Sequence, residues 1–306
     1  MICDILKTEK GESSPTRERS KNMKIGIESA AYFRRFGVEK GAYIAREHGY
    51  DCFDFGDLSE TETEFFKLPE PEFEKRIVYI KDEMAKNGMY ASQTHGPWRH
   101  PARDFTEEDR AERFEAMSKG IRGTAYIGSE NFVIHTMMPF GTNTSANPEE
   151  MKAINFEYFN RLCDVAEEYN ITICFENLPF LHLPINNCKQ ILEFVKKINR
   201  DCFKVCLDTG HALVSSEQPG EAVRMIGKEY LRTLHVHDND GTGDYHRLPG
   251  EGIGDWEDFG RALNEIGFDG VFSLETMVRR EGLTEEEWDA KARALAATAK
   301  RISEYR

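Results

Sequence analysis

A chain of 306 residues, 40% hydrophobic and 31% charged, has material for one sizeable core with a solvated exterior. Its 54 Asp and Glu against 40 Lys and Arg leave a formal charge of −14, which opposes attraction to nucleic acid or to an anionic membrane. No apolar run approaches the roughly 20 residues of a membrane span, and Met1 to Lys21 hold no apolar signal segment.

Residues 1–22 are rich in Lys, Glu, Ser and Arg without periodicity and read as a disordered extension, with the folded unit over 23–306. From there short apolar or alternating runs are each followed by a longer helical pattern. Strands are predicted over Lys24–Glu28 and Cys52–Phe55. A helix over Pro71–Asn87 leads to a third strand, Tyr90–Thr94, and one over Glu107–Ile127 to a fourth, Phe132–His135. Pro148–Tyr169 follows, where Phe159, Leu162, Cys163 and Ala166 share one helical face, and then strand Ile171–Glu176. Asn187–Asn199, Glu221–Lys228 and Trp256–Ile266 alternate with strands Lys204–Asp208, Leu231–His237 and Val271–Glu275. A last helix is expected around Thr284–Arg306. Gly49, Gly88 and Gly267 stand where helices should stop.

Eight β-then-α units without a second compositional regime predict an α/β fold made of a single (β/α)8 TIM barrel. The alternative, a doubly wound open sheet, would usually carry a glycine-rich phosphate loop after its first strand, and "GIESAAYF" contains none. The seven cysteines (Cys3, Cys52, Cys163, Cys174, Cys188, Cys202 and Cys206) are dispersed with no CxxC pair, so no disulfide framework or zinc knuckle is indicated. A soluble protein of a reducing compartment, the cytoplasm, is expected.

Six consecutive strands end in a histidine or carboxylate: His95, His135, Glu176, Asp208, His237 and Glu275, at spacings of 40, 41, 32, 29 and 38 residues. In a barrel these side chains gather at the C-terminal mouth, where barrel enzymes keep their active sites. Singly, each is more often a hydrogen-bonded rim or core residue. Jointly, Glu176, Asp208 and Glu275 would repel one another unless a cation compensates them. Carboxylates plus imidazole suit Mn2+, Mg2+, Co2+ or Zn2+, and nothing in the sequence selects among these.

Gly210 in "DTGH" would let the chain turn sharply and return His211 over the mouth, toward a second metal or a substrate oxygen. The stretch "DNDGTGDYHRLPGEGIGDW" reads as a flexible glycine-rich loop for most of its length, with Asp244 and His246 its chemically pointed part. Arg99, Arg103 and Arg247 read as solvated surface cations, while Trp98 and Phe180 would form an apolar wall for a sugar ring.

The ordered set "FENLP", "CLDTGHA", "HVHDND", "HRLPGEGIGDW" and "SLET" resembles the xylose isomerase-like TIM-barrel superfamily, over essentially Met23 to the C-terminus. That superfamily comprises sugar and sugar-phosphate isomerases and epimerases together with endonuclease IV-type repair enzymes. By resemblance to its ketose 3-epimerases, one divalent metal would be held by Glu176, Asp208, His237 and Glu275, and His211 would contact substrate. Those epimerases place an arginine six residues beyond the metal histidine, where this chain has Gly243. His95, His135, Trp98 and His246 are further substrate-side candidates, and Asp244, His246 and His235 are candidates for an additional metal.

The resemblance implies an isomerase or epimerase acting through an enediolate. Glu176 and Glu275 would trade acid and base roles on a small sugar or sugar phosphate. A sugar-acid dehydratase could use the same chemistry. An endonuclease IV-like AP endonuclease is the other branch, since its extra metal ligands match His95, His135, His211, Asp244 and His246. The acidic balance and the lack of a basic, aromatic-interleaved stretch speak against nucleic acid. The oligomeric state, a homo-oligomer included, is left open by the sequence.

Overall fold

In a computed structural model that describes residues 23–98, 104–141 and 143–306, eight parallel strands alternate with helices. The first half runs β1 (Lys24–Glu28), α1 (Ala30–His48), β2 (Cys52–Phe55), α2 (Glu64–Lys67), α3 (Glu70–Lys86), β3 (Ala91–His95), α4 (Glu107–Ile127) and β4 (Asn131–His135). The second runs α5 (Pro148–Glu168), β5 (Thr172–Glu176), α6 (Cys188–Ile198), β6 (Phe203–Asp208), α7 (Thr209–Val214), α8 (Pro219–Tyr230), β7 (Leu231–His235), α9 (Trp256–Glu265), β8 (Val271–Leu274) and α10 (Glu285–Ser303). Strand neighbours follow chain order, and β1 pairs with β8. The remaining seam between β7 and β8 is closed by a parallel bridge from Val236 to Leu274. There the Val236 N–H donates to Ser273 O at 2.8 Å, and the Glu275 N–H to Val236 O at 3.1 Å. The sheet is a single (β/α)8 TIM barrel.

Helix ends follow local chemistry. Thr106 and Asp109 form a reciprocal capping box at the start of α4, as do Asn187 and Gln190 for α6 and Thr284 and Glu287 for α10. Gly49 ends α1 at φ 103°, in the left-handed region where a side chain would be strained. The short helices α2 and α7 were not among the sequence expectations, and α1 was marked there only by the Gly49 that ends it. The predicted extension over residues 1–22 lies outside the described residues.

Strand side chains alternate between the helix layer and the barrel interior. On β5, Ile173 and Phe175 face outward into an aromatic cluster with Phe159, Phe194 and Phe203, with ring centroids 4.9–5.3 Å from Phe175 for its nearest members. Cys174 faces inward with Val133 and Cys206, all three fully buried. Two residues further along the same inward phase come His135, Glu176 and Asp208. The apolar floor of the barrel and the polar mouth are thus successive layers of one alternation, which is why β4, β5 and β6 end in site residues.

Candidate metal centre

The inward layer at the mouth holds more than the six expected strand ends. Glu28 closes β1 and Asp54 lies near the end of β2, register partners of each other, and both line a cavity of about 420 Å3. His95, His135, His211, Asp244, His246, Glu275, Trp98 and Phe180 line it too. Trp98 and Phe180 stack at 6.4 Å and 11°, and Trp98 stands edge-on to His135 at 4.4 Å, forming the expected apolar wall. Glu28 and Asp54 escaped the sequence reading, although their inward phase in two predicted strands was a signal that could have found them.

Around Glu176 the side chains converge tightly. His135 Nε2 lies 3.0 Å from Glu176 Oε2, and His235 Nδ1 lies 3.1 Å from Glu176 Oε1 and 3.2 Å from Glu275 Oε2. On its other side His235 Nε2 meets Asp54 Oδ2 at 2.7 Å, and Asp54 also accepts from Gln93 Nε2 at 2.9 Å. Potential ligand atoms of Glu176, Asp208, His235 and Glu275 all lie within 4.8 Å of one another. His237 stands to one side of that group. Its Nε2 is 2.9 Å from Asp208 Oδ2, and it forms further clusters with His211 and with Asp244 and His246. His235 and His237 share one phase of the strand, so both enter the mouth at different heights.

The chain enforces this geometry locally. Asn177 of "FENLP" locks the ends of β5 and β6 together: Asp208 N–H donates to its Oδ1 at 2.8 Å, and its amide donates to Asp208 O at 2.9 Å. Asp208 Oδ1 accepts the His211 N–H at 2.6 Å and so caps α7. His211 Nδ1 bonds Asn177 O at 2.9 Å, leaving Nε2 toward Asp244 Oδ2 at 3.3 Å. Gly210 serves close approach, not the sharp turn read from the sequence. A Cβ there would sit 2.0 Å from His237 Cε1, and its φ is not in the left-handed region.

The glycine-rich loop is also tied down, contrary to the flexible loop expected. Asp238 is fully buried and accepts N–H bonds from Asn239, Gly250 and Gly252 at 2.9 Å and from Gly254 at 3.2 Å. It also accepts Trp256 Nε1–H at 2.8 Å, while Asp238 and Arg247 exchange backbone bonds at 2.8 Å. This hub carries Asp244 and His246 to the cavity. His246 stacks on His237 at 4.1 Å and donates from Nδ1 to Glu275 O at 2.6 Å. Asp238→Ala would strand several buried donors and is expected to destabilise the barrel by about 1–3 kcal/mol. Limited proteolysis between residues 239 and 255 should accelerate. A wild-type urea midpoint with unchanged protease resistance would contradict this role.

Electrostatics reflect a mouth shared by imidazoles and carboxylates. Burial alone would raise the Glu176 carboxyl, but His235 and His135 outweigh it and hold it well below the usual range. Glu275 is likewise held down against burial, chiefly by His235. Burial opposes the charged form of His211, yet Asp208, Asp244 and Glu176 together push it up to about 10. For Asp208 burial prevails and raises the carboxyl. Glu176 Oε2, Glu275 Oε2 and His237 Nδ1 are buried without a hydrogen-bond partner among the described residues. Unfilled carboxylate oxygens beside imidazole nitrogens are what a divalent cation would complete, so the donor set fits such an ion.

Gly243, at the position of the epimerases' arginine, gives no side chain to the cavity. Arg247 is engaged by Asp240 at 2.5 Å, and Arg99 and Arg103 lie outside the described residues.

The mouth of the (β/α)8 barrel gathers six of the chain's nine histidines with carboxylates from successive strands, in groups that could hold a metal ion. The chain belongs to the xylose isomerase-like TIM-barrel family, whose model matches residues 42–298. It is 23% identical over 268 residues to a D-psicose 3-epimerase of Agrobacterium fabrum, covering 85% of this chain and 87% of that one. It is 24% identical over 264 residues to an inosose isomerase of Bacillus velezensis, covering 83% and 88%. Among solved structures, a D-psicose 3-epimerase in the presence of D-fructose superposes with a TM-score of 0.74 at 20% identity, covering 92% of this chain and all of the other. The IOLI protein with a bound zinc superposes at 0.69 and 21% identity, covering 92% and 96%. Both structural likenesses bear on the fold. Among the described residues no helix is long and apolar enough to cross a membrane.

Proposed function

We propose that this chain is a divalent-metal-dependent sugar isomerase or epimerase, with Glu176 and Glu275 as the acid–base pair. The observation that carries the reading is the meeting of these two carboxylates, one from β5 and one just past β8, at the buried His235 imidazole, with Glu275 also lining a cavity of sugar size. Glu176, Asp208, Glu275 and His237 would hold the cation. His235, whose two ring nitrogens are already occupied by Asp54 and by the glutamates, would orient the carboxylates. A cation bound there would polarise the sugar carbonyl and steady the charge that grows as a neighbouring C–H proton leaves.

The chain's own groups do the remaining work. One glutamate takes the proton from the carbon next to the carbonyl and the other returns one at the adjacent carbon or on the opposite face. His211, anchored on Asn177 O, presents Nε2 to a substrate oxygen. His95, His135 and His246 border the ring, and Trp98 with Phe180 covers its apolar face and excludes water.

A second reading is favoured by one specific observation. Besides the central group, His95–His135–Glu176 and His237–Asp244–His246 each bring three ligand atoms within 4.8 Å, as an endonuclease IV-like AP endonuclease with additional metals would require. The test is to strip the protein with a chelator, restore Mn2+ or Zn2+, and offer neutral ketoses, their phosphates and a duplex with an abasic site. Metal-dependent conversion of a ketose into its epimer or aldose is the expected result. Strand incision with no sugar conversion would overturn the proposal.

A further inference from the structure

Six carboxylates converge on the mouth, and Glu28 is set apart from the other five. Asp54, Glu176, Asp208, Asp244 and Glu275 each lie within 3.3 Å of an imidazole nitrogen. Glu28 lines the same cavity, yet no hydrogen bond or ion pair ties it to another described residue. Its Oε1 stands over Gly56, 3.5 Å from where a Cβ would be, an ordinary contact distance. The nearby cation Arg34 is engaged by Glu60 at 2.5 Å.

A partly buried carboxyl with no protein donor is costly unless something else completes it. Its surroundings narrow the candidates. Burial first, then the charges of Glu275 and Asp54, push the Glu28 carboxyl up to about 7, against the opposing pull of His246 and Arg34. A carboxyl accepts from a sugar hydroxyl and, when protonated, also donates to one. A phosphate placed beside it would face Glu28, Asp54 and Glu275 together, like charges that disfavour it at that side of the cavity, with His246 as the opposing cation there.

We propose that Glu28 is a substrate-binding residue that hydrogen-bonds a hydroxyl of a neutral, unphosphorylated sugar and selects against a phosphate at that side of the cavity. The proposal rests on the sugar-isomerase reading and narrows its substrate class.

The experiment is calorimetric titration of the full, Mn2+-loaded protein with a panel of neutral pentuloses and hexuloses and with their terminal phosphates. Wild type is compared with Glu28→Ala and Glu28→Gln. Wild type should bind a neutral ketose more tightly than its phosphate. Glu28→Ala should weaken the neutral sugar at least about tenfold. Glu28→Gln, which still donates and accepts, should keep most of that affinity and narrow the gap to the phosphate. Manganese content and melting temperature should stay at wild-type values in both. Unchanged sugar affinity in Glu28→Ala, or a loss of manganese parallel to the loss of sugar, would overturn the assignment, as would a wild type that prefers the phosphate or binds no sugar. Solvent deuterium exchange into the bound sugar reports separately on the isomerase reading. Sugar binding that depends on Glu28 without exchange would sink that reading and leave Glu28 as a sugar ligand.

Discussion

Replacing Glu275 with Gln is expected to leave the barrel folded and partly metal-loaded while turnover falls by roughly 10²–10⁴-fold. The position of residue 275 is set by its backbone. Its N–H donates to Val236 O at 3.1 Å across the barrel seam, and its carbonyl accepts from His246 Nδ1 at 2.6 Å. Neither bond involves the carboxylate, so an isosteric amide should preserve the fold. The amide oxygen can still face a cation, and what disappears is the capacity to take up and return a proton. His235 Nδ1, 3.2 Å from Oε2, also loses part of the negative charge that pushes its pKa up. Turnover and metal content measured on the same preparation check this. Wild-type turnover in Glu275→Gln would remove the residue from the acid–base pair.

Asp208→Ala should cost both metal and stability. One oxygen of Asp208 caps α7 through the His211 N–H, and the other faces His237 Nε2 at 2.9 Å, with the whole side chain buried. Truncation leaves the His211 N–H and His237 Nε2 without their shared buried partner and leaves a helix end uncapped. Leaving a buried polar group without its partner typically costs about 1–3 kcal/mol, and the lost cap about 1 kcal/mol. Denaturant unfolding should show a destabilisation of that order, and elemental analysis a loss of bound metal. Full metal occupancy in the variant would exclude Asp208 from the ligand set.

Much of this was legible in the residues because two periodicities coincide. The helix pattern and the strand pattern alternate eight times, and predicted and observed strand bounds differ by at most two residues, as for Leu231–His237 against β7 at Leu231–His235. The difference there is physical. After His235 the chain leaves its ladder with β6 and makes a bridge to β8 that closes the barrel, which no local pattern announces. His235 and His237 could not be separated by phase, and only the three-dimensional structure shows Asp54 claiming the first of them.

Asp54 itself was hidden because its strand continues to Phe55, so it does not stand out as a terminal polar residue. Asp238 was hidden for a different reason. In "DNDGTGD" it looks like turn chemistry, and its role depends on donors that arrive 12 to 18 residues later from Gly250, Gly252, Gly254 and Trp256. Long-range satisfaction of a buried carboxylate leaves no local mark in a sequence.

The most direct measurement of the central claim is proton NMR of a ketose incubated with metal-loaded protein in deuterated water. If Glu176 and Glu275 exchange a proton at the carbon next to the carbonyl, that C–H signal must fade as deuterium enters. The fading should keep pace with product, vanish on chelation, and be lost in Glu275→Gln. Product that forms with its hydrogens fully retained from substrate, or a C–H signal that persists across the whole ketose panel, would contradict the account.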